Sequence, residues 1–136
     1  MMISTKGRYA LRIMVDVAKF GGEGPISVRE IAGRQDISEK YMEQIVGVIT
    51  RNGLLRSVRG AQGGYYLAKP AEEITVGSIL RATEGDLAPT ECVAGKPCKR
   101  SGSCPSHMVF EKVYSAINNV IDNVKLCDLV SDKTEE

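Results

Sequence analysis

A mainly α-helical fold with one small β-hairpin is predicted by three features of the sequence. Helix-capping signals recur at short intervals through the first fifty residues. A glycine-rich segment then separates two short β-forming runs. Near the end, a long stretch carries apolar residues spaced three and four apart.

The first helix is expected from Ser4–Thr5 to about Phe20, with Leu11, Met14, Val15 and Ala18 as its apolar stripe. Gly21, Gly22 and Gly24 end it, and Pro25 blocks continuation. Ser27 and Glu30 have the spacing of a capping box, and Ile26 and Ile31 that of a hydrophobic staple. The helix they start is expected to be short, because Gly33 follows within six residues and Asp36 lies just beyond. Ser38 caps a third helix, flanked by the staple Ile37 and Met42. Met42, Ile45, Val46 and Ile49 give it one buried face, and Asn52-Gly53 stops it.

After Gly53 the runs LLRSVR and GYYLAK flank Gly60-Ala61-Gln62-Gly63-Gly64, the pattern of a hairpin with a glycine-rich tip, closed by Pro70. Thr75 caps a fourth helix carrying Val76, Ile79 and Leu80, which Gly85 ends. Residues 86–106 lack periodicity and read as a loop. A last helix is expected from about Ser106 to Val124, with Phe110, Val113, Ile117, Val120 and Val124 forming a heptad-like seam. The polar tail SDKTEE is expected to fray.

The 136 residues suit one compact domain, or one small domain with an appended dimerisation element. With no Trp and two Phe, the core must be mostly aliphatic. The net charge of +1 hides an asymmetry. Residues 1–70 hold 11 Lys/Arg against 6 Asp/Glu, whereas residues 71–136 hold 7 against 11. One half therefore attracts polyanions and the other does not, which points to nucleic acid or an anionic surface. The opening MMISTKGRYA lacks the basic-then-apolar pattern of a signal peptide, and no apolar run can span a bilayer. A cytoplasmic location follows, where four Cys are metal ligands, reactive thiols or core residues rather than disulfides.

Short helix, turn, capped helix and Gly-tipped hairpin are the parts of a winged helix-turn-helix. In such motifs the second helix enters the major groove of DNA by its N-terminal residues. With Met42 and Ile45 facing the core, Ser38, Lys40, Tyr41, Glu43 and Gln44 face the groove. Gln44 can bond an adenine edge and Glu43 can accept from a cytosine amine. Ser38 and Tyr41 can bond phosphates. On the hairpin, Arg56 and Arg59 precede Gly60, where a backbone without side chains lets an arginine approach a narrow minor groove. Arg8, Arg12 and Arg51 can add phosphate contacts.

Cys92, Cys98 and Cys104 are separated by five residues each time, and His107, the one His, follows Cys104 by three. Gly95, Pro97, Gly102 and Pro105 let this segment wrap a compact centre, and Lys96, Lys99 and Arg100 offset thiolate charge. Three thiolates and an imidazole suit structural zinc or an iron–sulfur cluster, and redox-active thiols or plain structural Cys are the other readings. Cys127 has no ligand-spaced neighbour and reads as a buried small hydrophobe.

Over about residues 1–130 the chain resembles the winged-helix family of IscR-type regulators, which also holds the NsrR and CymR types. The resemblance lies in STKGRYA, ISEKYMEQIV, VRGAQGGYYL and the Cys92-x5-Cys98-x5-Cys104-x2-His107 loop. It implies a homodimer built on the last helix, a pseudo-palindromic operator and a 2Fe-2S cluster on Cys92, Cys98, Cys104 and His107. CymR types lack this Cys set. NsrR types sense nitric oxide through a cluster with an acidic ligand from the first helix, where this chain has Arg8.

The expectation is a cytoplasmic transcription repressor that senses cluster status. Residues 1–85 form the DNA-binding domain, 86–106 the cluster-binding loop, and 107–130 the dimerisation helix and tail. The alternatives are a redox-, nitric-oxide- or cysteine-responsive regulator of the same family, a zinc-stabilised DNA-binding protein, and a small electron-transfer protein. An enzyme is not expected, since there is one His, no P-loop and no nucleophile–base pair.

Overall fold

A computed structural model describes residues 2–100 and 102–130. Among them the elements run α1 (Thr5–Phe20), α2 (Val28–Gln35), α3 (Glu39–Arg51), β1 (Leu55–Val58), β2 (Gly64–Leu67), α4 (Val76–Glu84) and α5 (Pro105–Ile121). Short 3-10 turns lie at Gly21–Glu23, Ala71–Glu73 and Leu126–Leu129. The polar tail 131–136, expected to fray, lies outside the described residues.

Local chemistry sets the helix starts. Ser4, Ser27, Ser38 and Thr75 each accept from the backbone N–H three residues on. Such a cap contributes about 1 kcal/mol. Both staples form within one aliphatic core, where Ile26, Ile31, Ile37 and Met42 are all buried. The capping box is only half made: the Glu30 carboxylate meets the Ser27 hydroxyl at 3.3 Å.

One boundary and one buried face differ from the sequence reading. α2 runs through Gly33 and stops at Asp36, whose left-handed backbone (φ 55°, ψ 50°) ends it. Asp tolerates that conformation better than most side chains. α1 buries Ala10, Ile13, Met14 and Val17, while Leu11, Val15 and Ala18 lie half-buried on its flank. The helix is apolar over so wide an arc that periodicity alone cannot choose the inner edge.

A buried carboxylate fixes α2 on α1. Asp16, 1% exposed, accepts from Arg34 Nε at 2.9 Å, Arg34 Nη2 at 2.7 Å and Gln35 Nε2 at 2.9 Å. The hydrogen bonds to Asp16 raise the Arg34 pKa above its usual value. Arg34 also lies over the Phe20 ring, 4.3 Å from its centroid.

In the hairpin Leu55 pairs with Leu67 and Val58 with Gly64. Tyr65 exchanges two backbone hydrogen bonds of 2.8 Å with Ile26, which adds a third rung beside the wing. Gly64 sits at φ 155°, where a Cβ would strike the Ile26 carbonyl.

α4 packs on α1, and a second apolar cluster of Val76, Leu80 and Leu87 receives Ile117, Ile121 and Val124. The last helix stops at Ile121 rather than Val124. Beyond it the chain turns back: Val76 N donates to the Val124 carbonyl, Leu126 N donates to the Ile74 carbonyl, and Leu126 is fully buried. Val124 thus lies off the helical seam and packs within its own chain. Cys127 is half-buried, so its neighbour Leu126 takes the core position expected of it. α5 itself has no buried residue, and Met108, Val109, Val113 and Val120 are exposed. Arg81 ties it to α4 through Asp122 (2.6 and 3.0 Å) and Asn118 (2.9 Å).

Two outcomes follow. Asp16→Ala leaves Arg34 and Gln35 without their shared acceptor and lowers stability by about 2–4 kcal/mol in urea unfolding; a loss below about 0.5 kcal/mol, the scale of an ordinary surface change, would show the clamp to be incidental. The Arg81 hydrogen bonds hold the Asp122 carboxyl below its usual pKa. Its stabilisation is present above the ordinary carboxylate range and fades as pH falls through the depressed value. Asp122→Asn therefore costs less than about 1 kcal/mol at pH 7, the pair being exposed, and flattens the acid limb of a stability-against-pH curve; an unchanged acid limb is the contrary result.

Candidate nucleic-acid interface and cysteine loop

The core contacts of α3 decide which of its side chains face outward. Met42, Ile45, Val46 and Ile49 are fully buried. Ser38, Lys40, Glu43 and Gln44 are exposed at the start of the helix, and Arg51 is exposed at its end. Tyr41 is only half-buried: its ring meets the Tyr9 ring edge-to-face, with centroids 5.8 Å apart. Ser38 is occupied by the Tyr41 N–H, so its hydroxyl serves the cap first.

α3 passes directly into the wing, with Leu54 N donating to the Ile49 carbonyl at the junction. Arg56 lies over the Tyr66 ring at 5.4 Å, a cross-strand partner in the register. Arg59 and Gly60 are exposed at the tip, where Gly60 (φ 109°) accepts from Gly63 N. Arg8 is exposed in the first turns of α1 and donates to Thr5 Oγ1 at 3.1 Å. Arg12, exposed, reaches across to Gln35, to which it donates at 2.6 and 3.0 Å. Gln35 and Tyr9 escaped the sequence reading, because each matters through a partner distant in the chain.

The cysteine loop assembles half of the expected ligand set. Thr90 Oγ1 lies 3.2 Å from Cys92 Sγ. That contact, and then His107, lowers the Cys92 pKa. Cys92 in turn raises the His107 pKa, helped by Glu111, whose carboxylate is 3.2 Å from Nε2. The side chain of His107 is 14% exposed, and its Nδ1 is buried without a hydrogen-bond partner. An unpartnered buried imidazole nitrogen beside a thiol of lowered pKa is the state of an atom suited to a metal. Three thiols and an imidazole fit an iron–sulfur cluster or zinc in kind. Cys104 stands at the N-cap of α5 and Cys98 is exposed, and among the described residues no three ligating side chains converge. Glu111 escaped the sequence reading, although its place one helical turn after His107 is a signal that could have found it.

The start of the loop is anchored twice. Glu84, the last residue of α4, accepts from Ser4 N at 2.7 Å and Ser4 Oγ at 2.6 Å. Two residues on, Asp86 accepts from Tyr114 of α5 at 2.7 Å and from Ala88 N at 3.0 Å. No helix among the described residues is long and apolar enough to cross a membrane.

Comparison with known proteins agrees with this arrangement. Residues 3–132 match the family described as "Rrf2: Iron-dependent Transcriptional regulator". The chain is 42% identical to the transcriptional regulator CymR of Bacillus subtilis (strain 168), over 96% of this chain and 91% of that one. It is 37% identical to the transcriptional regulator IscR of Serratia proteamaculans, over 98% and 81%. Among solved structures, CymR of B. subtilis superposes with a TM-score of 0.82 at 38% identity, covering 96% of each chain. IscR of T. potens gives 0.80 at 41% identity, covering 99% of this chain and 90% of that one. The chain is thus a winged-helix member of the Rrf2 family of DNA-binding transcription regulators.

Proposed function

We propose that this regulator binds DNA as a homodimer and that a 2Fe-2S cluster on Cys92, Cys98, Cys104 and His107 controls which sites it represses. The observation that carries the cluster is the buried, unpartnered Nδ1 of His107 beside Cys92. The chain's own Cys set is a second support, since the donors are three thiols and one imidazole within sixteen residues. When bound, such a cluster supplies a redox-sensitive centre. Cys92 would hold it beside Thr90 and His107 beside Glu111, and Cys98 and Cys104 would complete the ligand set.

The exposed apolar side of α5 takes the same face of a second copy. Phe110, Val113, Ile117 and Val120 form the seam, with Val124 at its end inside its own chain. A two-fold dimer presents two α3 helices and two wings, which requires a pseudo-palindromic operator. Residues 1–85 do the reading: Lys40, Tyr41, Glu43 and Gln44 in the major groove, Arg59 and Gly60 at the minor groove, and Arg8, Ser38, Arg51 and Arg56 on phosphates. Glu43 sharpens the choice, because its charge is repelled by phosphate unless a base amine meets it. Residues 86–106 carry the signal. Their movement reaches α5 through Asp86–Tyr114 and α1 through Glu84–Ser4, two grips only two residues apart.

Two measurements decide these readings. Protein purified without oxygen is expected to carry two irons and two sulfides per chain with cluster absorption bands, all lost in Cys92→Ala; zinc at one per chain, or no metal, overturns the cluster. Selection from a random duplex library, with and without cluster, is expected to return different site classes for wild type. Glu43→Ala is expected to merge them, and an unchanged pair of classes removes Glu43 from the discrimination.

A further inference from the structure

We infer that Arg12 and Tyr9 of α1 are positioning residues for DNA recognition, aiming α3 through the turn that precedes it. Tyr9, Arg12 and Asp16 form one ridge, spaced three and four apart along α1. Arg12 Nε donates to Gln35 Oε1 at 3.0 Å, and Nη2 donates to the Gln35 carbonyl at 2.6 Å. That carbonyl belongs to the last residue of α2, where helix geometry leaves acceptors open. Gln35 is gripped from its other side as well, since its Nε2 donates to the buried Asp16. The Arg12 guanidinium carbon lies 5.1 Å from the Tyr9 ring centroid, and the Tyr9 ring meets Tyr41.

The ridge therefore touches residue 35 before the turn and residue 41 after it. Between them lie Asp36, with its left-handed backbone, and the cap Ser38. Tyr41 is the third residue of α3 and has Lys40, Glu43 and Gln44 as groove-facing neighbours. A change in how the turn is held re-aims those side chains without altering them. A planar guanidinium can bond a side-chain and a main-chain oxygen together, and an ammonium cannot hold that fork. The inference rests on the reading that α3 enters the major groove.

The test uses the full chain and the duplex selected by wild-type protein, with an unrelated duplex of equal length as the second probe. Arg12→Lys keeps the charge. It is expected to weaken binding to the selected duplex by about tenfold, the effect of losing one or two hydrogen bonds. Affinity for the unrelated duplex and the salt slope stay unchanged. A direct phosphate contact predicts the opposite pattern: Arg12→Lys near wild type, and Arg12→Ala weaker on both duplexes with a salt slope shallower by about one. That result overturns the inference. Tyr9→Leu removes the ring contact without touching the Arg12 hydrogen bonds, so it keeps the test open if Arg12→Lys does not fold. It is expected to lose selected-duplex affinity alone, while Tyr9→Phe retains it; equal loss on both duplexes overturns the inference. Gln44→Ala separates the two readings. If it leaves selection unchanged, the groove assignment of α3 fails; if it relaxes selection while Arg12→Lys and Tyr9→Leu do not, only the positioning role fails.

Discussion

Among the described residues the Asp16 carboxylate is the one acidic or basic group sunk in the core, and the geometry of the helix-turn-helix depends on how it is satisfied. Taking a carboxylate out of water costs several kcal/mol, recovered only where charge and hydrogen bonds converge on it. Three nitrogens do so, all from the last two residues of α2. The end of α2 is therefore pinned to the middle of α1, and the reversal at Asp36 begins from a fixed point. Ile37 and Met42 then close over the start of α3 as a staple. Remove the anchor and the caps still favour helices, but their mutual angle loses its reference.

This division explains what was legible in the sequence. Helix starts were, because a cap and its staple are written within five residues and act within one turn. The wing was too, because Gly63 answers crowding against Val58 and Gly60 within the same turn. The helix ends were less so. α2 outlasts Gly33 because Arg34 and Gln35 are held by a residue eighteen or nineteen positions away. α5 ends at Ile121 because Asp122 turns to Arg81 and Val124 pairs with Val76, contacts of more than forty positions. Arg12 shows the same limit at the site. Its charge reads as a phosphate contact, but the acceptor it meets is Gln35. In the cysteine loop the donor types were legible, and the pairing of Cys92 with His107 first emerges from the fold.

The two halves of the chain are held by unlike forces. Buried residues between Ala10 and Ile79, joined by Leu126, share one aliphatic core that places α3 firmly, whereas α5 rests on a small apolar cluster and a few exposed polar bonds. Local stability follows buried apolar contact, so α5 and the loop before it occupy the low-stability end of the molecule. The sensing role proposed for residues 86–106 fits that position. A ligand shifts an equilibrium only by its differential affinity for two states, and two states of similar free energy need a weakly held element.

What such a segment does to DNA choice is set by where it is fastened. Glu84 and Asp86 flank Gly85, which sits at φ 74° and adds no side chain to resist rotation. One carboxylate holds the first turn of α1 and the other holds α5, so rotation at Gly85 is shared between them. α1 is sixteen residues long and continuous, and it joins the cap Ser4 to Tyr9, Arg12 and Asp16. Those three residues hold the turn before α3. On the proposed reading, the short path from the loop to α3 runs along α1 rather than through the core, where dense packing resists small displacements.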